Sequence, residues 1–158
     1  MAALPEDWAL PAITPFNEAW FTSGAIVVQR CASCATLQHP PEEVCASCGA
    51  KAFDHVPLAP TGTVHSFTVV HYAANAALAD AVPYTVVLVS LDVAPQVRVV
   101  GNLDGDVAIG LPVVATWERR VADDGTEILL PQWRREWRAS PAPARIRSPQ
   151  HHVEGDPT

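Results

Sequence analysis

The sequence Cys31-Ala-Ser-Cys34 is followed, ten residues later, by Cys45-Ala-Ser-Cys48, and these are the only four cysteines of the chain. A spacing of two residues lets a tight turn aim both sulfurs of a pair at one point, and two facing pairs supply the four thiolates of a tetrahedral zinc site. A rubredoxin-type iron centre would use the same ligands. Gly49 suits the positive φ that such a turn often needs, whereas Ala35 stands at the equivalent position of the first pair. The pattern predicts a structural metal site, zinc or iron, with no coordination position open for chemistry.

Other roles for the cysteines fit the sequence less well. Disulfides need an oxidising compartment, and residues 1–7 contain no basic segment leading into an apolar signal. We therefore expect a cytoplasmic protein. A thioredoxin-like redox motif uses one Cys-x-x-Cys pair rather than two. His39 could replace a cysteine as a ligand, but with four cysteines present we expect it to be a solvent-facing loop residue beside Pro40-Pro41.

The composition restricts the classes of partner. The chain has 158 residues, 49% of them hydrophobic, and a formal net charge of −7. No apolar run approaches the ~20 residues that a transmembrane helix requires, so we expect no membrane association. The negative charge also disfavours a general binder of nucleic acids or anionic membranes.

The segment before the cysteines predicts one short amphipathic helix over residues 15–23. Thr14 is a favourable N-cap, Pro15 suits the first helical position, and Gly24 suits the exit. Phe16 and Trp20 share one face of this helix. They either pack on the body of the same protein or contact a partner subunit, and the sequence leaves both alternatives open.

The remaining pattern is mainly β. A β-branched run at residues 25–30 leads into the metal ribbon, which ends near residues 53–56, and residues 57–62 read as a turn-rich linker. Five strands are then predicted, at residues 63–72, 83–92, 97–103, 112–121 and 127–134, with a long loop or loose helical turn at 73–82. The second of these strands is nearly continuous in apolar residues, which indicates burial on both faces. Five such strands predict a small closed Greek-key barrel of the OB type, with an open sandwich as the alternative.

The predicted organisation is an N-terminal lead and docking helix (1–24), a rubredoxin-like zinc ribbon (25–57), a five-stranded OB-fold barrel (58–138) and a disordered tail (139–158). The tail is rich in proline and small residues, which do not form a packed core.

The order of these parts resembles a known family. Its motifs here are QRCASC (29–34), PPEEVCASCG (40–49), GTVHSFTVVH (62–71), PYTVVLVSL (83–91), VGNL (100–103) and GLPV (110–113). They resemble the zinc-ribbon/OB-fold accessory proteins of thiolase-like enzymes, such as acyl-CoA thiolases and the retro-aldolases of bacterial steroid side-chain breakdown. The resemblance implies a non-catalytic subunit that binds a thiolase-fold partner, stabilises it and shapes its acyl-CoA site. Ala35, where the family more often has glycine, and the alanine-rich 73–82 loop depart from the family pattern.

The chain has no recognisable catalytic set of its own. It contains no Ser-His-Asp spacing, no glycine-rich phosphate loop and no His-Glu-x-x-His motif. Its cysteines are assigned to the metal. The absence of these motifs agrees with the role that the resemblance implies, in which the catalytic residues belong to the partner.

Two groups of residues are candidates for acyl-CoA contacts. His71 and Tyr72 lie where the first barrel strand enters the long loop, at a usual ligand-facing edge of OB barrels. His71 either donates to a thioester carbonyl or pantetheine amide, or makes a structural hydrogen bond that pins the loop. Arg119 and Arg120, with two arginines of the next strand, either meet the phosphates of CoA or form a solvated strand face balanced by acidic residues.

A different function class uses the same fold. Trp117, Trp133 and Trp137 alternate with arginines, and such interleaving is typical of a stacking platform for single-stranded nucleic acid. The net charge and the single lysine, Lys51, oppose this alternative. A third possibility, an independent enzyme acting on acyl-CoA, rests on His71 and the arginines alone.

Overall fold

The computed structural model describes Pro5 and residues 8–136. Trp137 and the predicted tail lie outside these residues. The described elements are one helix, one short 3-10 helix (Ala76–Leu78) and eight strands. They are α1 (Glu18–Thr22), β1 (Ile26–Cys31), β2 (Leu37–Gln38), β3 (Phe53–Leu58), β4 (Thr61–Val70), β5 (Tyr84–Leu91), β6 (Ala94–Asn102), β7 (Pro112–Val121) and β8 (Glu127–Arg135).

The first sheet is the predicted ribbon. Its strand order is β2-β1-β3, and both neighbours of β1 run antiparallel to it. The pairing continues from Ile26 opposite Leu58 to Cys31 opposite Phe53. β1 therefore delivers the first cysteine directly from the centre of the sheet.

The second sheet forms the barrel. Its order is β6-β5-β4-β7-β8, and a parallel bridge between Leu103 and Trp133 joins the two outer strands. This is the strand order of an OB fold, in which the first strand pairs with the second and fourth and the third closes against the fifth. The predicted barrel is confirmed, and the open sandwich is excluded.

The core of the barrel comes from alternate residues of its strands. Val87, Val89 and Leu91 on β5 and Val99 on β6 have no exposed surface. Between them, Leu88 is half-buried, so the prediction that β5 is buried on both faces is wrong. A strand of a small barrel has one inner face, and its outer face is covered here only in part.

The helix is shorter than predicted. Its first residue is Glu18, because the turn before it is built by Asn17: the Thr14 backbone N–H donates to Asn17 Oδ1 at 2.7 Å. The Thr14 hydroxyl itself is buried without a hydrogen-bond partner, so the prediction of Thr14 as the N-cap is wrong. Gly24, with φ of 65°, ends the element as expected. The helix packs against β1 and β8 and so spans both sheets.

The predicted linker at 57–62 is also wrong. β3 continues to Leu58 and β4 begins at Thr61, which leaves two residues, 59 and 60, between the ribbon and the barrel. The Pro60 carbonyl accepts a hydrogen bond from the backbone N–H of Ala115 at 2.7 Å. The two sheets are thus directly connected.

None of the helices in the described part of the chain combines the length and the apolar character needed to cross a membrane.

Candidate metal centre and ligand-facing surfaces

The four cysteine sulfurs converge as the sequence predicts. All lie within 4.8 Å of one another, and the distances are 3.6 Å from Cys31 to Cys48 and 3.7 Å from Cys34 to Cys45. A tetrahedron with metal–sulfur bonds of about 2.3 Å has edges of about 3.8 Å, so the spacing fits a zinc ion at the centre. The residues present therefore fit a structural metal held by four thiolates.

The two turns that carry the sulfurs have the same backbone geometry. The N–H of Ala35 donates to Cys31 O, and the N–H of Gly49 donates to Cys45 O, both at 2.9 Å. Ala35 has φ of 58° and Gly49 has φ of 77°. The first turn thus holds a Cβ-bearing residue in the left-handed region, which costs about 1 kcal/mol that glycine avoids.

The electrostatics of the cluster favour a bound cation. A hydrogen bond at 3.2 Å to the Thr36 side chain, together with the Thr36 backbone, lowers the pKa of the Cys34 thiol to about 6. The backbone of Ala50 acts to lower the pKa of Cys48, but the neighbouring thiols outweigh it and raise that pKa to about 12. Four adjacent sulfurs do not all ionise without a compensating positive charge, and a divalent metal supplies it.

His39 is not solvent-facing, contrary to the prediction. Its ring lies 4.1 Å from the ring of Trp20, centroid to centroid, and burial lowers its pKa to about 4. It is absent from the group of possible metal ligands, which within the described residues consists of the four cysteines. His39 is therefore a neutral packing residue that joins the ribbon loop to α1.

The predicted partner contacts on the helix differ in accessibility. Trp20 retains 6% of its surface and belongs to the core cluster, so it packs on the body of its own chain. A partner could reach only the rim of its ring. Phe16 lies in the turn before α1 and is half-buried, and it stays a predicted partner contact.

The predicted acyl-CoA contacts at the end of β4 are open to solvent. His71 is exposed and makes no hydrogen bond to any residue that the structure describes, so no structural bond from this side chain pins the loop. Tyr72 is 83% exposed. Both side chains are accessible to a ligand or a partner.

The four arginines of the last hairpin do not form one cluster. Arg119 and Arg120 lie opposite Leu129 and Ile128, whereas Arg134 and Arg135 pair with residues at the other end of β7. Arg119 forms an exposed ion pair with Glu127. Arg120 forms a largely buried one with Glu118 at 2.7 Å, its side chain 11% exposed. Both predicted phosphate contacts already have carboxylate partners.

The tryptophans of the hairpin do not form an exposed platform. Trp133 is 3% exposed and part of the barrel core, and Trp117 packs against that core. Period-two spacing on β7 and β8 places such side chains inward. Within the described residues, nothing favours the nucleic-acid alternative.

Two grooves were not foreseen from the sequence. The helix groove, about 570 Å³, lies between α1, the ribbon loop and the outer wall of the barrel; its lining includes Trp20, Phe21, His39, Leu88, Val100 and Leu130. The barrel-mouth groove, about 830 Å³, is bordered by residues that include Tyr84, Asn102, Trp117, Glu118, Trp133 and Arg134. Both depend on contacts between distant segments, for which a single sequence carries no direct signal.

Comparison with known proteins identifies both parts of the chain. Residues 22–54 match the model of the ChsH2 rubredoxin-like zinc ribbon domain, and residues 55–118 match the ChsH2 C-terminal OB-fold domain. A solved structure of an Ltp2-ChsH2(DUF35) aldolase contains a chain that is similar to this one, with 39% identity and a TM-score of 0.63. The match covers 80% of this chain and 98% of that one.

Two curated proteins are also similar. A DUF35 domain-containing scaffold protein of Methanocaldococcus jannaschii is 32% identical over 101 residues, which cover 62% of this chain and 70% of that protein. A probable enoyl-CoA hydratase alpha subunit of Thermomonospora curvata is 39% identical over 131 residues, or 78% of this chain. The chain spans only 39% of the length of that second relative.

Proposed function

Because this chain belongs to the family of ChsH2-type (DUF35) zinc-ribbon and OB-fold proteins, we propose that it is a non-catalytic subunit that binds a thiolase-fold enzyme, stabilises it and shapes its acyl-CoA site. The observation that carries this proposal is the match over 98% of a chain in an Ltp2-ChsH2(DUF35) aldolase. The name of the archaeal relative, a scaffold protein, supports the same role. The proposed partner is a cytoplasmic thiolase or retro-aldolase. The proposed pathway is steroid side-chain degradation or a related degradation of acyl-CoA compounds.

The exposed apolar side chains of β4 support a docking role. β7 pairs with β4 only at Thr61–Thr63, so the second half of β4 lies free on that side. Phe67 is 40% exposed, Val69 37% and Tyr72, just beyond the strand, 83%. Exposed apolar and aromatic residues of this kind mark surfaces that a partner covers. These residues form the proposed partner surface, and Phe16, on the turn before α1, is a separate proposed partner contact.

The acyl-CoA ligand is proposed to be held jointly with the partner. The barrel-mouth groove has the size of a small-molecule site and combines aromatic residues with Arg134, whose fork suits a phosphate. His71 and Tyr72 are proposed contacts because both are exposed at the adjacent end of β4. Arg119 and Arg120 would have to exchange a carboxylate for a CoA phosphate, which makes them weaker candidates.

The test is co-expression with the nearest encoded thiolase-like protein, followed by size-exclusion chromatography with light scattering. The expected result is one stoichiometric assembly. Tyr72→Ser should weaken it, whereas Val121→Ser, which alters another exposed residue at the far end of β7, should leave it intact. Separate peaks for the two wild-type proteins at micromolar concentration would overturn the proposal.

A further inference from the structure

The ribbon contains a buried side chain that metal binding alone does not explain. Gln29, in the middle of β1, is the one polar or charged residue among the buried ones that the structure describes, with 2% of its surface exposed. It precedes the first cysteine by two residues and lies directly opposite Gln38 of β2. Burial of an amide is costly unless its hydrogen-bonding capacity is used. The partners of these two glutamines therefore indicate their role.

Every hydrogen-bonding position of the Gln29 amide is occupied. Its Nε2 donates to the Glu42 carbonyl at 3.0 Å and to the Phe16 carbonyl at 3.3 Å. Its Oε1 accepts from the Glu42 backbone N–H at 2.9 Å and from Gln38 Nε2 at 3.4 Å. A primary amide has two donors and two acceptor sites, so this set is complete. Gln29 ties the turn before α1 to the loop between the two cysteine pairs.

Gln38 extends this connection to a metal ligand. Its Nε2 donates to the carbonyl of Val44 at 3.2 Å, and its Oε1 accepts from the backbone N–H of Ala46 at 2.8 Å. These two backbone groups flank Cys45. One glutamine therefore holds the chain on both sides of a cysteine that is itself 2% exposed.

We propose that Gln38 and Gln29 couple metal binding at Cys45 to the position of α1, so that the metal orders the surface around Phe16 as well as the ribbon. The path runs from the backbone beside Cys45 through the two amides to the Phe16 carbonyl. α1 has five residues, far fewer than the ~12 that an isolated helix needs to be stable in water. Its geometry therefore depends on such external contacts.

The pairing of Trp20 with His39 is a second contact between ribbon and helix, and it lies beside the same path. His39 follows Gln38 directly, and its ring packs on the buried tryptophan of α1. This contact constrains the helix side chain, whereas Gln29 constrains the backbone at its entry. A loop that moves when the metal leaves would release both.

The experiment is hydrogen exchange on the isolated full-length chain, metal-loaded and after chelation, followed residue by residue by NMR. The reporters are the amides of Trp20 and Phe21, which donate to Asn17 O at 3.0 and 3.2 Å. In the wild type, chelation should accelerate their exchange about tenfold, while the barrel amides of Val87 and Val99 stay protected. Unchanged exchange at the two reporters after chelation would overturn the inference.

Gln29→Leu keeps the size of the side chain and removes its hydrogen bonds. With about one metal ion still bound per chain, this variant should show the faster reporter exchange already in the loaded form and little further change on chelation. Gln38→Leu, at a less buried position, should behave in the same way and replaces Gln29→Leu in the test if that variant does not fold. If chelation accelerates reporter exchange in either variant as much as in the wild type, the proposed coupling through the two glutamines is wrong.

Arg30→Met is the matched control. Arg30 is the next residue on β1 and makes an ion pair with Asp54 at 2.9 Å, with its side chain 48% exposed. The variant removes a polar contact beside the first cysteine, on the same strand but outside the path, and it should respond to chelation as the wild type does. Because no partner enzyme is present, the outcome is independent of the proposed assembly.

Discussion

Gly101 lies where the barrel closes, and replacing it with alanine should open that closure. A Cβ at this position would meet Trp133 Cδ1 at 2.8 Å and the Pro131 carbonyl oxygen at 2.9 Å. Both distances are shorter than ordinary contacts, and one of the atoms belongs to the backbone of β8. The Pro131 oxygen cannot move without shifting β8 away from β6, and the Trp133 ring is held in the barrel core, next to the Leu103–Trp133 bridge.

The expected cost follows from overpacking. Inserting one methyl group into a well-packed site costs about 1–3 kcal/mol, and alanine recovers about 0.5 kcal/mol through its lower entropy in the unfolded chain. We expect Gly101→Ala to lower the free energy of unfolding by about 2 kcal/mol, or Tm by about 4–8 °C. Urea titration followed by circular dichroism measures the first quantity, and a thermal scan measures the second.

Two further variants isolate the clash. Val100→Ala changes the neighbouring residue, whose side chain is 57% exposed, and should cost less than about 1 kcal/mol. In a Trp133→Leu background, the Gly101→Ala change should cost about 1 kcal/mol less than in the wild type, because one of the two clashing groups is gone. A Gly101→Ala protein as stable as the wild type, with β6 and β8 amides equally protected, would refute the reasoning.

Three other predictions concern the metal, a buried histidine and the ion pairs of the hairpin. Cys45→Ser should reduce metal content from about one zinc ion per chain towards zero and lower Tm, because the binding energy of a structural metal is folding energy; metal loss with unchanged melting would contradict this. His39 has a pKa of about 4 when folded against 6.5 for the free side chain. The unfolded chain therefore takes up its proton first, and stability should fall as pH drops from about 6.5 to about 4. In His39→Phe, the decrease in the free energy of unfolding over this pH range should be smaller by up to about 3 kcal/mol, as measured by urea titration at several pH values. An equal decrease in the two proteins would contradict this prediction. Arg120→Ala leaves Glu118, whose side chain is 9% exposed, without its arginine and should cost about 3 kcal/mol. The matched variant is Arg119→Ala, which breaks an ion pair whose side chains are 68% and 43% exposed. It should lower the free energy of unfolding by less than about 1 kcal/mol. Equal losses in the two variants would contradict the argument from burial.

The features that were predictable from the sequence are those with short-range signals. Cys31, Cys34, Cys45 and Cys48 are identified as one site by spacing alone, and the structure brings their sulfurs together. The barrel strands follow from runs of β-branched residues, and β7 begins and ends where predicted. Both signals lie within a few residues of the feature that they indicate.

The errors concern contacts that spacing and propensity do not encode. The burial of His39 depends on Trp20, nineteen residues away and on a different element. The four arginines of the hairpin do not lie together because the register of β7 against β8 places Arg119 opposite Leu129, whereas Arg134 lies opposite Val114. The start of α1 moved because the Asn17 side chain accepts the Thr14 amide, a local competition that propensities do not resolve.

The two-residue connection between β3 and β4 has a mechanical consequence. Residues 59 and 60 join two sheets, and Pro60 is itself hydrogen-bonded to β7, so there is little freedom for one sheet to swing against the other. A partner that contacts both sheets would therefore meet them at one fixed relative orientation. An insertion of a few flexible residues at this junction would leave both contact surfaces intact and change only their relative orientation. The activity of the proposed partner enzyme, measured with this variant, would show how far it depends on that orientation.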